Sequence, residues 1–112
     1  MKRKIFVIVG LGLIGGSLAA SIRRKFSSAH VIGVSRSARK IAFAKKKRLI
    51  HEGFTRLPHA FTKSVDLVFV CSPVDTIPKL LREIDRFARP GTVVTDVGST
   101  KGEIVRQANR AH

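Results

Sequence analysis

Ile5-Phe6-Val7-Ile8-Val9-Gly10-Leu11-Gly12-Leu13-Ile14-Gly15-Gly16-Ser17-Leu18-Ala19 decides the fold. It reads as a buried strand, a turn built on Gly10, Gly12 and Gly15, and the start of a helix. This is G-x-G-x-x-G in the strand–turn–helix context that gives the pattern its meaning. Gly10 permits the tight turn, Gly12 lets the backbone approach a pyrophosphate, and Gly15 lets the helix pack close to the strand. Leu11, Leu13 and Ile14 complete the turn as candidate cofactor-contacting positions. The unpaired N–H groups at the helix start, with the helix dipole behind them, suit a phosphate dianion.

The same residues support a rival reading. No charged side chain occurs from Ile5 to Ile22, and the flanks are Lys2-Arg3-Lys4 and Arg23-Arg24-Lys25. A basic start, an apolar run and the small pair Ala19-Ala20 resemble a signal peptide or a short membrane span. Gly10, Gly12, Gly15 and Gly16 argue against both, because they lower helix propensity where such segments need it. The strands and helices that follow are those of a nucleotide-binding fold, so no membrane association is expected.

The chain has 112 residues, of which 44% are hydrophobic, without repeats or low-complexity tracts. That is one domain with a real core, small for a complete enzyme of this type. A single cysteine, Cys71, rules out an internal disulfide framework and fits a reducing, cytoplasmic compartment. His30, His51, His59 and His112 lack Cys partners and helical metal-ligand spacing, so no metal site is expected. The net charge of +15 favours anionic partners. Nucleic acid is the obvious alternative partner, but Trp and Tyr are absent and the seven Phe sit mostly in apolar patterns. A basic surface around an anion-binding pocket accounts for the composition better.

Lys4 to Val9 reads as a central strand of a parallel sheet. The helix after it carries Ile14, Leu18, Ile22 and Phe26 on one face, and His30 to Val34 forms the second strand beside the first. An NAD-binding domain usually carries Asp or Glu after this strand, accepting hydrogen bonds from the adenosine ribose. Here Ser35-Arg36-Ser37 stands there, with Arg39 and Lys40 behind. A carboxylate would repel a 2′-phosphate, whereas Ser35 can donate to it and Arg36 can clasp it. The inference is NADP rather than NAD. In the competing reading Arg36, Arg39 and Lys40 merely decorate a helix start.

A helix is predicted over Ala38 to Leu49, a short edge strand over Gly53 to Leu57, and a loop or short helix over Pro58 to Ser64. Asp66 to Cys71 opens the second half of the sheet on the other side of the first strand. Cys71-Ser72-Pro73-Val74 lies at its C-terminal end, where open parallel sheets bind ligands. Nothing nearby would lower the Cys71 pKa, so it reads as a buried strand-end thiol rather than a reactive one. Asp75 or Thr76 can cap the next helix, with Pro78 in its first turn and Ile77, Leu80, Leu81, Ile84, Phe87 and Ala88 along one stripe. Thr92 to Asp96 is a further strand. Thr100 with Glu103 makes a capping box for a final helix through Ile104, Val105 and Ala108. The fold class is α/β: a Rossmann-type doubly wound parallel sheet in three α/β/α layers, forming a single NAD(P)-binding domain over residues 1–112.

Two motifs together resemble the prephenate/arogenate dehydrogenases of tyrosine biosynthesis. They are Gly10-Leu11-Gly12-Leu13-Ile14-Gly15-Gly16-Ser17-Leu18-Ala19 and Asp96-Val97-Gly98-Ser99-Thr100-Lys101-Gly102, the second following a Cys-Ser-Pro-Val strand end. The first is shared by many NAD(P) enzymes; the second is more specific. Val34-Ser35-Arg36 is similar to the NADP-using, arogenate-type members. The resemblance implies oxidation of a cyclohexadienyl dicarboxylate or amino acid by hydride transfer to the nicotinamide as carbon dioxide leaves. It implies that Ser99 is the active-site serine, positioning the substrate hydroxyl and the catalytic histidine. It also implies that Ser72-Pro73-Val74 runs past the nicotinamide. Asp96 is either part of that site or a structural tie for the loop.

The family's general-base histidine lies in a Gly-x-His-Pro motif that His112 does not match, and no other histidine follows Ser99. The helical C-terminal domain that closes the family's substrate site is likewise not found in these residues. The expectation is a cofactor-binding half, catalytically inert alone, with an exposed sheet edge that allows a homodimer. A stand-alone cofactor-sensing module is the alternative within the same fold.

Overall fold

A computed structural model of the protein describes residues 3–96 and the backbone of 104–107. Six strands form one sheet: β1 (Ile5–Val9), β2 (His30–Val34), β3 (Glu52–Phe54), β4 (Leu67–Val70), β5 (Val93–Asp96) and β6 (Ile104–Gln107). Their spatial order is β3-β2-β1-β4-β5-β6. The first five pair in parallel, and β6 runs antiparallel to β5. The chain leaves β1 towards β2 and β3 on one side and later returns to β4 and β5 on the other. The reversal beside β1 is where open α/β sheets form a ligand crevice at the strands' carboxyl ends.

The apolar run of β1 is buried on both faces because its alternating side chains serve two cores. Val7 and Val9 join Val34, Val68 and Val70 beneath α3 (Ile77–Phe87) and the 3₁₀ turn Leu57–Phe61. Phe6 and Ile8 join Val31 beneath α1 (Leu13–Lys25) and α2 (Ala38–Lys46). The expected three layers are therefore present. The apolar segment that could pass for an export signal is divided into a central strand, a turn and an amphipathic helix. Among the described residues no helix is long and apolar enough to cross a membrane.

Four local expectations need correction. The core-facing stripe of α1 is Gly15, Ala19 and Ile22, with Leu18 packed at its margin; of the expected Ile14, Leu18, Ile22 and Phe26, the two end residues Ile14 and Phe26 are 57% and 54% exposed. Small residues face the sheet because the helix comes within backbone contact of the glycine turn. Helix α2 ends at Lys46, short of Leu49. Arg48 adopts a left-handed conformation (φ +59°), its N–H donates to the Lys45 carbonyl at 3.0 Å, and the Leu49 N–H donates to the Ala44 carbonyl at 2.8 Å. These two bonds are a Schellman stop, built here without glycine. Thr76 occupies the N-cap position of α3 but makes no side-chain cap; its hydroxyl donates instead to the Pro73 carbonyl at 2.6 Å, closing the 3₁₀ turn Val74–Thr76.

The fourth correction concerns the chain after β5. Ile104–Gln107 is a strand, with Asp96 opposite Ile104 and Val93 opposite Gln107, where a helix is expected from the sequence. The capping-box residues Thr100 and Glu103 and the helical position Ala108 lie outside the described residues. An unpaired β5 edge offers a full row of backbone partners, which outweighs a local capping signal. The link back to that edge is also shorter than the dozen residues a parallel crossover needs, so the pairing is antiparallel.

Candidate functional site

The ends of β1, β2 and β4 are tied together at the glycine turn. The Gly10 N–H donates to the Val34 carbonyl at 2.8 Å, and the Cys71 N–H donates to the Val9 carbonyl at 2.8 Å. Gly10 has φ +99°, and a Cβ there would stand 2.8 Å from the Cys71 carbonyl oxygen and 2.9 Å from Ser72 Oγ. Both conformation and space therefore require glycine. A Cβ on Gly15 would stand 1.9 Å from the Gly10 carbonyl oxygen, so the third glycine sets the seating of α1.

Gly12 has a different role. It is the N-cap of α1 and supplies no side-chain oxygen, and a Cβ on it would meet nothing within 4 Å. No acidic residue occupies the first turn of α1. The first bond of the helix runs from the Gly16 N–H to the Gly12 carbonyl at 2.8 Å, leaving the preceding N–H groups aimed outward. Open space, outward donors and the positive end of a helix dipole together form a cradle for a phosphate group. The residues present fit a nucleotide pyrophosphate. Leu11 tucks its side chain into the core below, while Leu13 and Ile14 project outward, 89% and 57% exposed.

One pole of the crevice lies beyond β2. The Ser37 N–H donates to Ser35 Oγ at 3.1 Å, and the Lys40 N–H donates to Ser37 Oγ at 3.2 Å. Ser37 is thus the N-cap of α2, while the Ser35 hydroxyl keeps its hydrogen for an anionic acceptor. Arg36 and Arg39 are exposed, and among the described residues neither forms an ion pair. Arg39 and Lys40 also border a largely apolar groove between α1 and α2, lined by Leu13, Phe43 and Leu49.

The other pole lies beyond β4. Ser72 Oγ makes a long 3.5 Å contact with the Val9 carbonyl, and Val74 is exposed at the rim. Burial pushes the Cys71 thiol up to about 11, with the nearby Asp96 charge adding to the effect. It is a protonated packing group rather than a nucleophile. Asp96 is buried at the end of β5, level with Val70 of β4. Ser99 lies outside the described residues.

Two clusters are not apparent from sequence reading. His30 and His51, distant in sequence, stack with ring centroids 4.9 Å apart, and His30 Nε2 pairs with Glu52 Oε2 at 2.5 Å. His30 starts β2, so this cluster sits at the end of the sheet opposite the glycine turn. Among the described residues no such group is arranged to hold a metal. The second cluster is a groove of about 750 Å³ lined by Thr55, Arg56, Lys79, Arg82, Glu83 and Arg86, among others. Its helical cations fall on the polar side of α3, the complement of the apolar stripe. That periodic signal was present in the sequence, but the contribution of Arg56 depends on strand pairing.

The family model described as "Prephenate dehydrogenase, nucleotide-binding domain" matches residues 18–112. Prephenate dehydrogenase of Lactococcus lactis subsp. cremoris is 32% identical over 108 residues, covering 96% of this chain and 30% of that protein. Prephenate dehydrogenase from A. aeolicus, solved in complex with hydroxyphenyl propionate and NAD+, superposes with a TM-score of 0.80 at 29% identity, covering 86% of this chain and 34% of that one. Arogenate dehydrogenase from Synechocystis gives a TM-score of 0.75 at 34% identity, covering 83% of this chain and 32% of that one. The chain spans about 30% of the length of the curated relatives it matches.

Proposed function

This chain belongs to the prephenate dehydrogenase family as its nucleotide-binding domain, and we propose that the nucleotide it takes is NADP. The observation that carries this reading is the pairing of an open, uncapped α1 N-terminus at Gly12 with a β2 end bearing Ser35 and Arg36 instead of a carboxylate. The N–H groups after Gly12 would donate to the pyrophosphate oxygens. Ser35 would donate to the 2′-phosphate and Arg36 would clasp it, with Arg39 adding positive potential. Ser72, Pro73 and Val74 would border the nicotinamide half, with Val74 excluding water on one side. When bound, NADP supplies the hydride acceptor. Its preference over NAD is the finer part of the proposal.

Within a complete protein of this family, the domain would serve oxidative decarboxylation of prephenate or arogenate in tyrosine biosynthesis, in the cytoplasm and as a homodimer. Ser99 would orient the substrate hydroxyl there. The 112-residue chain alone is proposed to bind cofactor without turnover, because positioning of a base contributes roughly 10²–10⁴-fold and no His in the family's Gly-x-His-Pro motif occurs in this sequence.

Calorimetric titration with NADPH and NADH tests the reading. Saturable binding that favours NADPH, and that Arg36→Ala weakens by about tenfold for NADPH alone, is the expected result. Equal affinity for both cofactors would refute the NADP assignment. Salt-sensitive DNA binding that NADPH fails to displace would favour a polyanion-binding role instead.

A further inference from the structure

Strand β3 is the short outer edge of the sheet, and its pairing carries it to the adenosine pole. Val34 and Phe54 are partners in the β2–β3 register, and the ladder continues one step further through the Ser35 N–H, which donates to the Phe54 carbonyl at 3.1 Å. Thr55 and Arg56 therefore emerge beside Ser35 and Arg36, at the carboxyl end of the sheet. Arg56 remains extended (φ −121°, ψ 130°), and the 3₁₀ turn after it is anchored by the buried Leu57. The backbone that presents this guanidinium is thus fixed at both sides.

The side chain itself is exposed. Arg56 forms no ion pair among the described residues, although it shares its groove with Glu83. That single carboxylate faces four cations, Arg56, Lys79, Arg82 and Arg86, so the groove is a region of positive potential. The backbone of Arg56 stands at a strand end one step beyond the Ser35–Phe54 bond, so a second guanidinium is presented at the same edge as Arg36, and planar guanidinium donors suit a phosphate monoester with three acceptor oxygens.

We propose that Arg56 is a specificity-determining residue, a second cation for the 2′-phosphate of NADP that acts across the β2–β3 edge from Arg36. The inference rests on the reading of Ser35 and Arg36 as the adenosine pole and extends it to a strand that the glycine motif does not include. NADH offers a neutral 2′-hydroxyl at this point, which has little to gain from two guanidinium groups. Arg56 therefore contributes to NADPH binding and not to NADH binding.

Titration of the 112-residue chain and its Arg56→Gln variant with NADPH, NADH, 2′,5′-ADP and 5′-ADP tests this. The expected result is about tenfold weaker binding of NADPH and 2′,5′-ADP, with NADH and 5′-ADP within twofold of the wild type. Arg56→Lys should recover part of the loss, since a point charge replaces the fork. The thermal midpoint of both variants should stay near wild type, because the side chain is exposed. If the wild type prefers NADPH and Arg56→Gln keeps that preference, Arg56 has no such role while the NADP reading stands. If the wild type shows no preference, both are overturned.

Discussion

Gly15 and Gly10 are in backbone contact: a Cβ on Gly15 would stand 1.9 Å from the Gly10 carbonyl oxygen. Neither partner can yield cheaply, since Gly10 is itself pinned by its bond to Val34 and by the Cys71 carbonyl. Gly15→Ala is expected to destabilise the domain by about 3 kcal/mol, the upper end of typical overpacking. Its neighbour Gly16 faces open space, and Gly16→Ala should stabilise by up to about 1 kcal/mol through helix propensity. Urea denaturation of the two variants checks the contrast, and equal effects would show that α1 is not seated by this contact.

Ser37 holds the first turn of α2 through the bond from the Lys40 N–H to its hydroxyl. Ser37→Ala should cost about 1 kcal/mol of stability, and Ser37→Asp should restore it. The same aspartate would place a carboxylate near the 2′-phosphate and weaken NADPH relative to NADH. Recovery of stability together with loss of NADPH preference would separate the capping and cofactor roles of this loop.

His51 gives the domain a pH dependence. Its pKa lies below 6.5 because of burial first, then the charges of Arg23, His30 and Arg3, and the neutral ring accepts a hydrogen bond at Nδ1 from the Val31 N–H at 3.0 Å. A histidine whose folded pKa is depressed takes up its proton more readily when unfolded, so its contribution is present above 6.5 and lost as pH falls through the folded value. Denaturation midpoints should therefore drop below pH 6.5. His51→Asn, which keeps an acceptor for Val31, should flatten that drop; an unchanged profile would assign it to other groups.

Cys71 is expected to resist alkylation. With its pKa near 11, its thiolate fraction at pH 7 is about a hundredfold below that of an ordinary cysteine. Iodoacetamide labelling followed by mass spectrometry should show modification at least that much slower than for the same thiol in urea. Labelling at the unfolded rate would reveal an accessible thiolate that the folded geometry does not contain.

The sequence makes the central features of the fold legible because they depend on uninterrupted local patterns. The apolar runs of β1, β2, β4 and β5, the glycine spacing and the Ser35-Arg36 pair all read correctly at their positions in the sheet. The rotation of α1 was not legible in that way. Ile14 and Phe26 have helical spacing with Leu18 and Ile22 yet lie exposed, because the face that packs is chosen by how closely Gly15 and Ala19 allow the helix to approach the turn. Nor was β6, where the Thr100–Glu103 pair suggests a helix and the vacant edge of β5 recruits a strand. His30, His51 and Glu52, and likewise Ser35 and Phe54, become neighbours through pairing of β2 and β3, which no local window contains.

The two ends of the nucleotide crevice differ in how freely they can change. The cradle at Gly10, Gly12 and Gly15 is made of backbone and locked into the packing of β1, β4 and α1, so most substitutions there disturb the frame. Arg36, Arg39 and Arg56 are exposed at the far edge, and among the described residues none of them forms an ion pair. On the proposed reading, mutation would retune which coenzyme is chosen while the grip on its phosphates stays constant. A library confined to those exposed side chains would test the proposed coenzyme selection at little risk to folding.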